Sequence, residues 1–198
     1  MKRASFLPAI LAGCLLATSG LAETGLPAKK QTLNGLYMTA AEAADMLQDD
    51  NVLFVDVRSR PELAFTGVAE RVDVHIPLMV MPEKAVYSPQ KGGYRMRFNP
   101  DFVLAFESYL MENGYDETVP IVLICRSGAR SAKAANILRE MGYANVWSVT
   151  DGFEGDKAKD GPGKGQRVLN GWKNAGLAWS YAIRSDQAYP MDLGASGS

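Results

Sequence analysis

The sequence predicts an α/β fold: a central, mostly parallel sheet flanked by helices on both faces. Three observations predict it. Val52-Leu53-Phe54-Val55-Asp56-Val57 and Pro120-Ile121-Val122-Leu123-Ile124 are near-continuous β-branched and apolar runs, the pattern of strands buried on both sides. Segments with helical spacing and capping signals alternate with these strands, as parallel crossovers require. The 198 residues are 47% hydrophobic and 22% charged, an ordinary globular composition with room for one domain of typical size.

The chain opens on Met1, Lys2 and Arg3. An apolar stretch from Ala4 to Leu16 follows, interrupted by Ser5, Pro8 and Gly13, and then Thr18-Ser19-Gly20-Leu21-Ala22 before Glu23. This has the layout of a secretory signal peptide over residues 1–22. Leu11-Ala12-Gly13-Cys14 offers a competing reading, since it resembles a bacterial lipobox and would leave a lipoprotein anchored through Cys14. A membrane-spanning anchor needs about twenty clean apolar residues, and Thr18-Ser19 arrives too early for one. The expectation is export, to the bacterial periplasm. Loss of residues 1–22 removes Lys2, Arg3 and Cys14, leaving 19 basic against 22 acidic groups and one cysteine, Cys125. In an oxidising compartment a lone thiol is either buried filler or a working nucleophile.

Residues 23–38 read as a polar lead-in and 39–155 as the domain, with a loop and C-terminal extension over 156–198 packing back on it. Thr39 and Glu42 form a capping box that opens a helix with Ala43, Met46 and Leu47 on one side. Ser59-Arg60-Pro61-Glu62 repeats the signal after the Val52–Val57 strand, with Pro61 tolerated in the first turn. Val72–Ile76 reads as a strand closed by Pro77, and 82–98 as a long excursion or small hairpin. Asn99-Pro100 is read as N-cap and N1 of a helix whose apolar face is Phe102, Phe106, Tyr109 and Leu110, stopped at Gly114. After the Pro120–Ile124 strand, a helix from about Ala129 to Met141 carries Ala132, Ala135, Ile137 and Leu138 and ends at Gly142. Asn145–Val149 is a last short strand. Gly161-Pro162-Gly163-Lys164-Gly165 lacks both the full phosphate-loop pattern and its strand-to-helix setting, so it reads as surface loop. Trp172, Leu177 and Trp179 give the tail apolar weight, and the last five residues are expected to be disordered. There is no internal repeat.

Composition excludes several functions. A formal net charge of -1 argues against nucleic acid as a partner, because phosphate-binding surfaces leave a basic excess. Two cysteines cannot build a disulfide scaffold. With His75 the sole histidine, a zinc cluster lacks ligands. No metal and no cofactor are expected.

The chemistry concentrates at Cys125-Arg126-Ser127-Gly128-Ala129-Arg130-Ser131, between the most hydrophobic strand and a helix N-terminus. Open α/β sheets bind ligands outside the carboxyl ends of their strands. Loop N–H groups, the helix N-terminus and two arginines all favour thiolate over thiol there, so the Cys125 pKa is expected to fall. Gly128 permits the turn.

This loop resembles the active-site loop of rhodanese-type sulfurtransferases. The likeness runs from about Thr39 to Phe153 and includes Asp56-Val57-Arg58-Ser59-Arg60-Pro61-Glu62, then Gly142-Tyr143-Ala144-Asn145-Val146 leading to Asp151-Gly152-Phe153. The resemblance implies a rhodanese-like domain. In one respect the chain departs from the family: His75-Ile76-Pro77 lies nineteen residues after Asp56, where the family's Gly-His-Ile-Pro-Gly-Ala segment comes sooner, and no Gly-Ala follows. Gly67-Val68 is the candidate for that place, and His75 is read as structural.

By resemblance, Cys125 attacks the sulfane sulfur of thiosulfate or a related anionic donor, releases sulfite and holds a persulfide. Cyanide or a thiol then takes the outer sulfur. Arg126 and Arg130 are expected to hold the donor, and the N–H groups from Ser127 through Gly128, Ala129 and Arg130 to Ser131 to stabilise the persulfide. Asp56 and Arg58 are expected to organise the loop base; the bland alternative for Arg58 is a surface pair with Glu62. Two rival functions stay open. Related phosphatases place five residues between Cys and Arg, whereas here four separate Cys125 from Arg130, which suits sulfur better than a tetrahedral phosphate. A persulfide carrier or partner-binding module is the other, with the 82–98 excursion and the tail as docking surface. Lys91, Arg95 and Arg97 could line an anion entrance but read better as a solvated hairpin. A protein partner for sulfur relay is possible, and monomer is the default for one small domain.

Overall fold

The computed structural model describes residues 25–193. In chain order the strands and helices are β1 (Tyr37–Met38), α1 (Ala40–Met46), β2 (Leu53–Asp56), α2 (Arg60–Thr66), β3 (Val68–Ala69), β4 (Val74–His75), β5 (Met79–Val80), β6 (Tyr87–Ser88), β7 (Gly93–Tyr94) and β8 (Arg97–Phe98). After them come α3 (Phe102–Glu112), β9 (Ile121–Ile124), α4 (Ala129–Glu140), β10 (Val146–Val149), β11 (Trp179–Ser180) and α5 (Pro190–Leu193). The main sheet has the order β1-β10-β9-β2-β4, and every neighbouring pair is parallel. The two strands with unbroken apolar runs, β9 and β2, lie side by side in the interior, where both faces must be dry.

Alternation along those strands divides the core in two. Leu53, Val55, Ile121 and Leu123 face α3 and α4, meeting Phe102, Phe106, Leu110 and Leu138. Phe54, Val122 and Ile124 face α1 and α2, meeting Ala43 and Leu63, with Trp172 from the tail closing that side. Phe54 and Trp172 stack with ring centroids 5.2 Å apart. Each fully buried aromatic or aliphatic side chain of this kind contributes about 1.5–3 kcal/mol. The period of two continues one residue past β9, which places Cys125 on the α3/α4 side.

Both capping signals act at the helix starts. Glu42 accepts from the Thr39 N–H at 2.7 Å while Thr39 Oγ1 accepts from the Glu42 N–H at 3.3 Å. Glu62 accepts from the Ser59 N–H at 3.0 Å and from its hydroxyl at 2.7 Å. The 82–98 excursion contains the β6–β7 hairpin, and its outer strand β8 pairs with β5. Lys91, Arg95 and Arg97 are all exposed there, as a solvated hairpin would have them.

Several boundaries differ from the sequence reading. Tyr37–Met38, taken as lead-in, is an edge strand whose register against Ser148 and Val149 completes the sheet. Lys30, also in that lead-in, is buried with its ammonium 2.7 Å from Asp156. The helix expected at Asn99-Pro100 begins at Phe102, because Asn99 is buried and its amide donates to Pro77 O and Tyr189 Oη. Asn99 Oδ1 caps the turn by accepting from the Asp101 N–H at 3.2 Å. The tail returns as β11, antiparallel to β3, and as Gln187 and Tyr189, both buried. The expected signal peptide over 1–22, the Cys14 alternative and the final five residues lie outside the described residues.

Candidate active site

Cys125 follows β9 directly, and the loop it begins turns at Gly128 into α4. Gly128 has φ +95°, and a Cβ there would stand 2.1 Å from Thr150 O, so only glycine fits both the conformation and the space. The turn brings the Gly128 N–H to 3.2 Å from Cys125 Sγ, on which it donates. Ser131 Oγ stands 3.5 Å from the same sulfur. Behind Ser131, Ser148 Oγ on β10 donates to Ser131 Oγ at 2.8 Å, and Ser131 Oγ in turn donates to Gly128 O at 3.0 Å, so two buried hydroxyls brace the turn beside the cysteine. Cys125 is 1% exposed.

A second crossing closes the loop from the other side. Gly152 has φ +66°, and a Cβ there would stand 2.5 Å from Cys125 O. This close approach lets the Phe153 N–H donate to Cys125 O at 2.8 Å and the Glu154 N–H to Arg126 O at 3.0 Å. The cysteine loop is therefore pinned by backbone bonds to the segment after β10, and its geometry does not rest on side chains alone.

The base of the site is the Asp56–Arg58 pair, fully buried on both sides. Arg58 Nε donates to both Asp56 oxygens at 3.0 and 2.9 Å, and its terminal nitrogens donate to Thr66 Oγ1 and Gly67 O, each at 2.8 Å. Its guanidinium lies 3.9 Å from the centre of the Phe153 ring. A buried pair is kept only when its hydrogen bonds are satisfied, and here they are. The surface pairing of Arg58 with Glu62 does not occur: Arg58 points inward, and Glu62 serves another arginine. His75, at the end of β4, donates from Nε2 to Arg58 O at 2.7 Å, and burial holds its pKa below the ordinary imidazole value. It supports the Arg58 backbone as a neutral ring.

The two loop arginines part company. Arg130, on the first turn of α4, makes a two-point pair with Glu62 at 2.6 and 2.5 Å, both side chains 17% exposed. Burial pushes the Glu62 carboxyl up, but the Arg130 hydrogen bonds and charge, with Ser59, outweigh it and hold the pKa at about 2. Arg126 points outward, its Nε 4.0 Å from Glu154. Of the expected residues, the structure gathers Gly128 and Ser131 around Cys125 and places Asp56 and Arg58 beneath. Ala129 opens α4, and half-buried Ser127 lines a neighbouring groove. Glu62 and Ser148 were not singled out as site residues from the sequence. By sequence Glu62 is a cap and the alternative partner of Arg58; in the fold it serves the cap and pairs with Arg130, 68 residues away. Ser148 carried a faint signal, a small hydroxyl inside an otherwise apolar strand.

Comparison with known proteins agrees with this geometry. The rhodanese-like domain family matches residues 39–159. An uncharacterised protein of Rickettsia conorii is 31% identical over 143 residues, covering 72% of this chain and 94% of that one. The thiosulfate sulfurtransferase GlpE of Actinobacillus succinogenes is 31% identical over 119 residues, covering 60% of this chain and 80% of that one. The crystal structure of Rv0390 from M. tuberculosis superposes with a TM-score of 0.54 at 26% identity, covering 74% of this chain and 97% of that one. A parallel sheet in this order, a cysteine loop closed by two glycines, and these likenesses have one reading: the chain belongs to the rhodanese-like domain family, whose members include sulfurtransferases.

Proposed function

We propose that the protein moves sulfane sulfur from thiosulfate, or a related small anionic donor, to a thiophilic acceptor through a persulfide on Cys125. The observation that carries this reading is the sulfur's surroundings, with an N–H donor at 3.2 Å and a hydroxyl at 3.5 Å on an atom that becomes an anion. The Cys125 thiolate attacks the outer sulfur of thiosulfate, the S–S bond of the donor breaks, and sulfite leaves with the electron pair. The terminal sulfur of the resulting persulfide carries the negative charge. Cyanide or a thiolate then attacks that sulfur, and Cys125 departs as thiolate. Preorganised donors such as the Gly128 N–H act on the charge without reorganising at the moment of reaction. Ser131 accepts from Ser148 and donates to Gly128 O at 3.0 Å, which holds its oxygen beside the sulfur and braces the turn that presents the Gly128 N–H.

Arg126, exposed and loosely paired, is the cation for the incoming donor; Arg130, tied to Glu62, acts through the shape of the loop. That division favours sulfur over phosphate chemistry, because a phosphatase-like loop needs its arginine on the tetrahedral oxyanion. The near-complete burial of Cys125 favours the carrier reading as a second possibility, since a shielded persulfide turns over slowly with bulky acceptors. Residues 1–22 are proposed to direct export, which cell fractionation of a tagged full-length chain would check.

The test is intact mass of the purified protein after thiosulfate, with and without cyanide, beside Cys125→Ser. A gain of one sulfur that cyanide removes and the variant lacks is expected. No gain on the reduced protein would overturn the thiosulfate reading. A gain that persists under cyanide would favour the carrier.

A further inference from the structure

The 82–98 excursion stands at the end of the sheet that carries Cys125. β2, β4 and β9 run parallel; Cys125 follows the carboxyl end of β9, and the excursion follows that of β4. Its stem is tied to the frame, since the Leu78 N–H donates to Val57 O at 3.2 Å and the Asn99 N–H to Leu78 O at 3.0 Å. The β5–β8 pair rises from this stem, and Phe98 at its foot meets Phe102 of α3 with ring centroids 6.4 Å apart. Lys133, on the helix that begins at the cysteine loop, holds its ammonium 5.6 Å from the Phe98 ring centre. Beyond the stem, the β6–β7 hairpin sets Tyr87 directly opposite Tyr94. Both rings therefore share one face, edge to face and 6.2 Å apart.

What the hairpin leaves in water indicates its partner. Tyr87 is 58% and Tyr94 62% exposed, and Val86 beside them is half exposed. Rings this open to water add little to the fold of a two-stranded hairpin. Residues 82–98 hold Lys84, Lys91, Arg95 and Arg97 against Glu83 alone, in a chain whose formal net charge is -1. All four cations are exposed, and none has an ion-pair partner among the described residues. Tyrosine and arginine are enriched at the energetic centres of protein interfaces, and unpaired cations around them match a surface of opposite sign. The outermost turn argues against a lipid surface. Ser88-Pro89-Gln90-Lys91-Gly92-Gly93 has no aromatic or branched aliphatic side chain to enter a bilayer interface.

We infer that the 82–98 excursion is a docking surface for an acidic protein. Carboxylates of that partner meet Arg95, Arg97 and the neighbouring lysines, while the Tyr87–Tyr94 face packs into an apolar depression between them. Docked there, the partner stands at the end of the sheet from which the cysteine loop opens. The inference needs only the geometry and charge of the hairpin, and it holds whatever chemistry Cys125 performs.

Photo-crosslinking finds the partner, and titration then tests its chemistry. The full-length chain with p-benzoylphenylalanine in place of Tyr87 is irradiated in the cells it comes from. A control carries the same group in place of exposed Phe65 on α2, which packs on the other face of the sheet. A protein captured at position 87 and not at 65 is identified by mass spectrometry, purified and titrated against the wild-type chain. An acidic protein is expected, bound less tightly as salt rises. Its affinity should fall roughly tenfold in Arg95→Glu/Arg97→Glu and in Tyr87→Ala/Tyr94→Ala, a loss of about 1.4 kcal/mol each; circular dichroism checks that both variants are folded. No capture specific to position 87, a partner without net negative charge, or equal affinity in the variants would overturn the docking surface. Pelleting of the wild-type chain with phosphatidylglycerol vesicles, lost in Arg95→Glu/Arg97→Glu, would overturn the protein assignment in favour of a membrane. The same variant should gain sulfur from thiosulfate as the wild type does, and a gain lost in it would assign these cations to the small donor instead. A wild-type chain that binds the acidic partner but gains no sulfur would sink the sulfurtransferase reading alone, so the two failures are told apart.

Discussion

Glu62→Gln is the substitution that most directly tests how the cysteine loop is held. The glutamine keeps the length of the side chain and an oxygen for the Ser59 N–H, so the start of α2 keeps its cap. What it loses is the charge facing Arg130. The Glu62 carboxyl is held at about 2 against an ordinary value of 4.5. A displacement of that size corresponds to about 3 kcal/mol of stability at neutral pH, and with both side chains 17% exposed, solvent screening removes little of it. The folded-state pKa is depressed, so this stability is fully present above pH 4.5 and is lost as pH falls toward 2. Urea unfolding followed by tryptophan fluorescence at pH 7, 5 and 3 measures it. The variant should be less stable by about 3 kcal/mol at pH 7 and pH 5, with the gap narrowing to about half by pH 3. A gap below about 1 kcal/mol at pH 7, the range of an exposed pair, or one that does not change with pH, would refute the reasoning.

Further perturbations read other parts of the structure. Gly128→Ala places a methyl where Thr150 O already stands and should slow persulfide formation, measured as the rate of mass gain with thiosulfate, as the Gly128 N–H is drawn off Sγ. Trp172→Ala empties a site that is 3% exposed against Phe54 and should cost about 3–5 kcal/mol in urea unfolding. His75→Gln keeps a donor for Arg58 O but removes an imidazole whose folded pKa is lowered by burial. The unfolded chain takes up that proton near pH 6.5 and the folded one resists, so wild-type stability falls as pH drops below 6.5. Thermal unfolding at pH 7.5, 6.5 and 5.5 should show a smaller drop in the variant.

Much of the molecule was legible in the sequence where the signal is local. Thr39 with Glu42 and Ser59 with Glu62 act within a single helical turn, and both pairs form the bonds their spacing foretells. The apolar runs at 52–57 and 120–124 become the interior strands because such runs are stable only with both faces covered. Cys125 falls at the end of the more apolar of these, so strand, turn and helix could be placed around it from seven residues. Tyr37–Met38 escaped notice because a two-residue edge strand has no period to detect; its existence depends on β10 being beside it.

Partnership at a distance was the part that only the tertiary structure decided. Arg130 meets Glu62, 68 residues away, only because the fold brings α2 to it, and Lys30 of the polar leader meets Asp156, 126 residues on, in the same way. Nothing near Arg58 in sequence distinguishes Asp56 from Glu62 as its partner; the buried end of β2 chooses Asp56 and turns the guanidinium onto Phe153. The sequence by itself determined the alternating elements, the place of Cys125 at a strand end and the glycine turn that follows it, because caps, strand patterning and backbone sterics act over a few neighbouring residues. The tertiary structure decided which charges are paired inside the frame and which stay at its surface, because a charge settles where packing brings a partner within hydrogen-bonding distance and removes competing water.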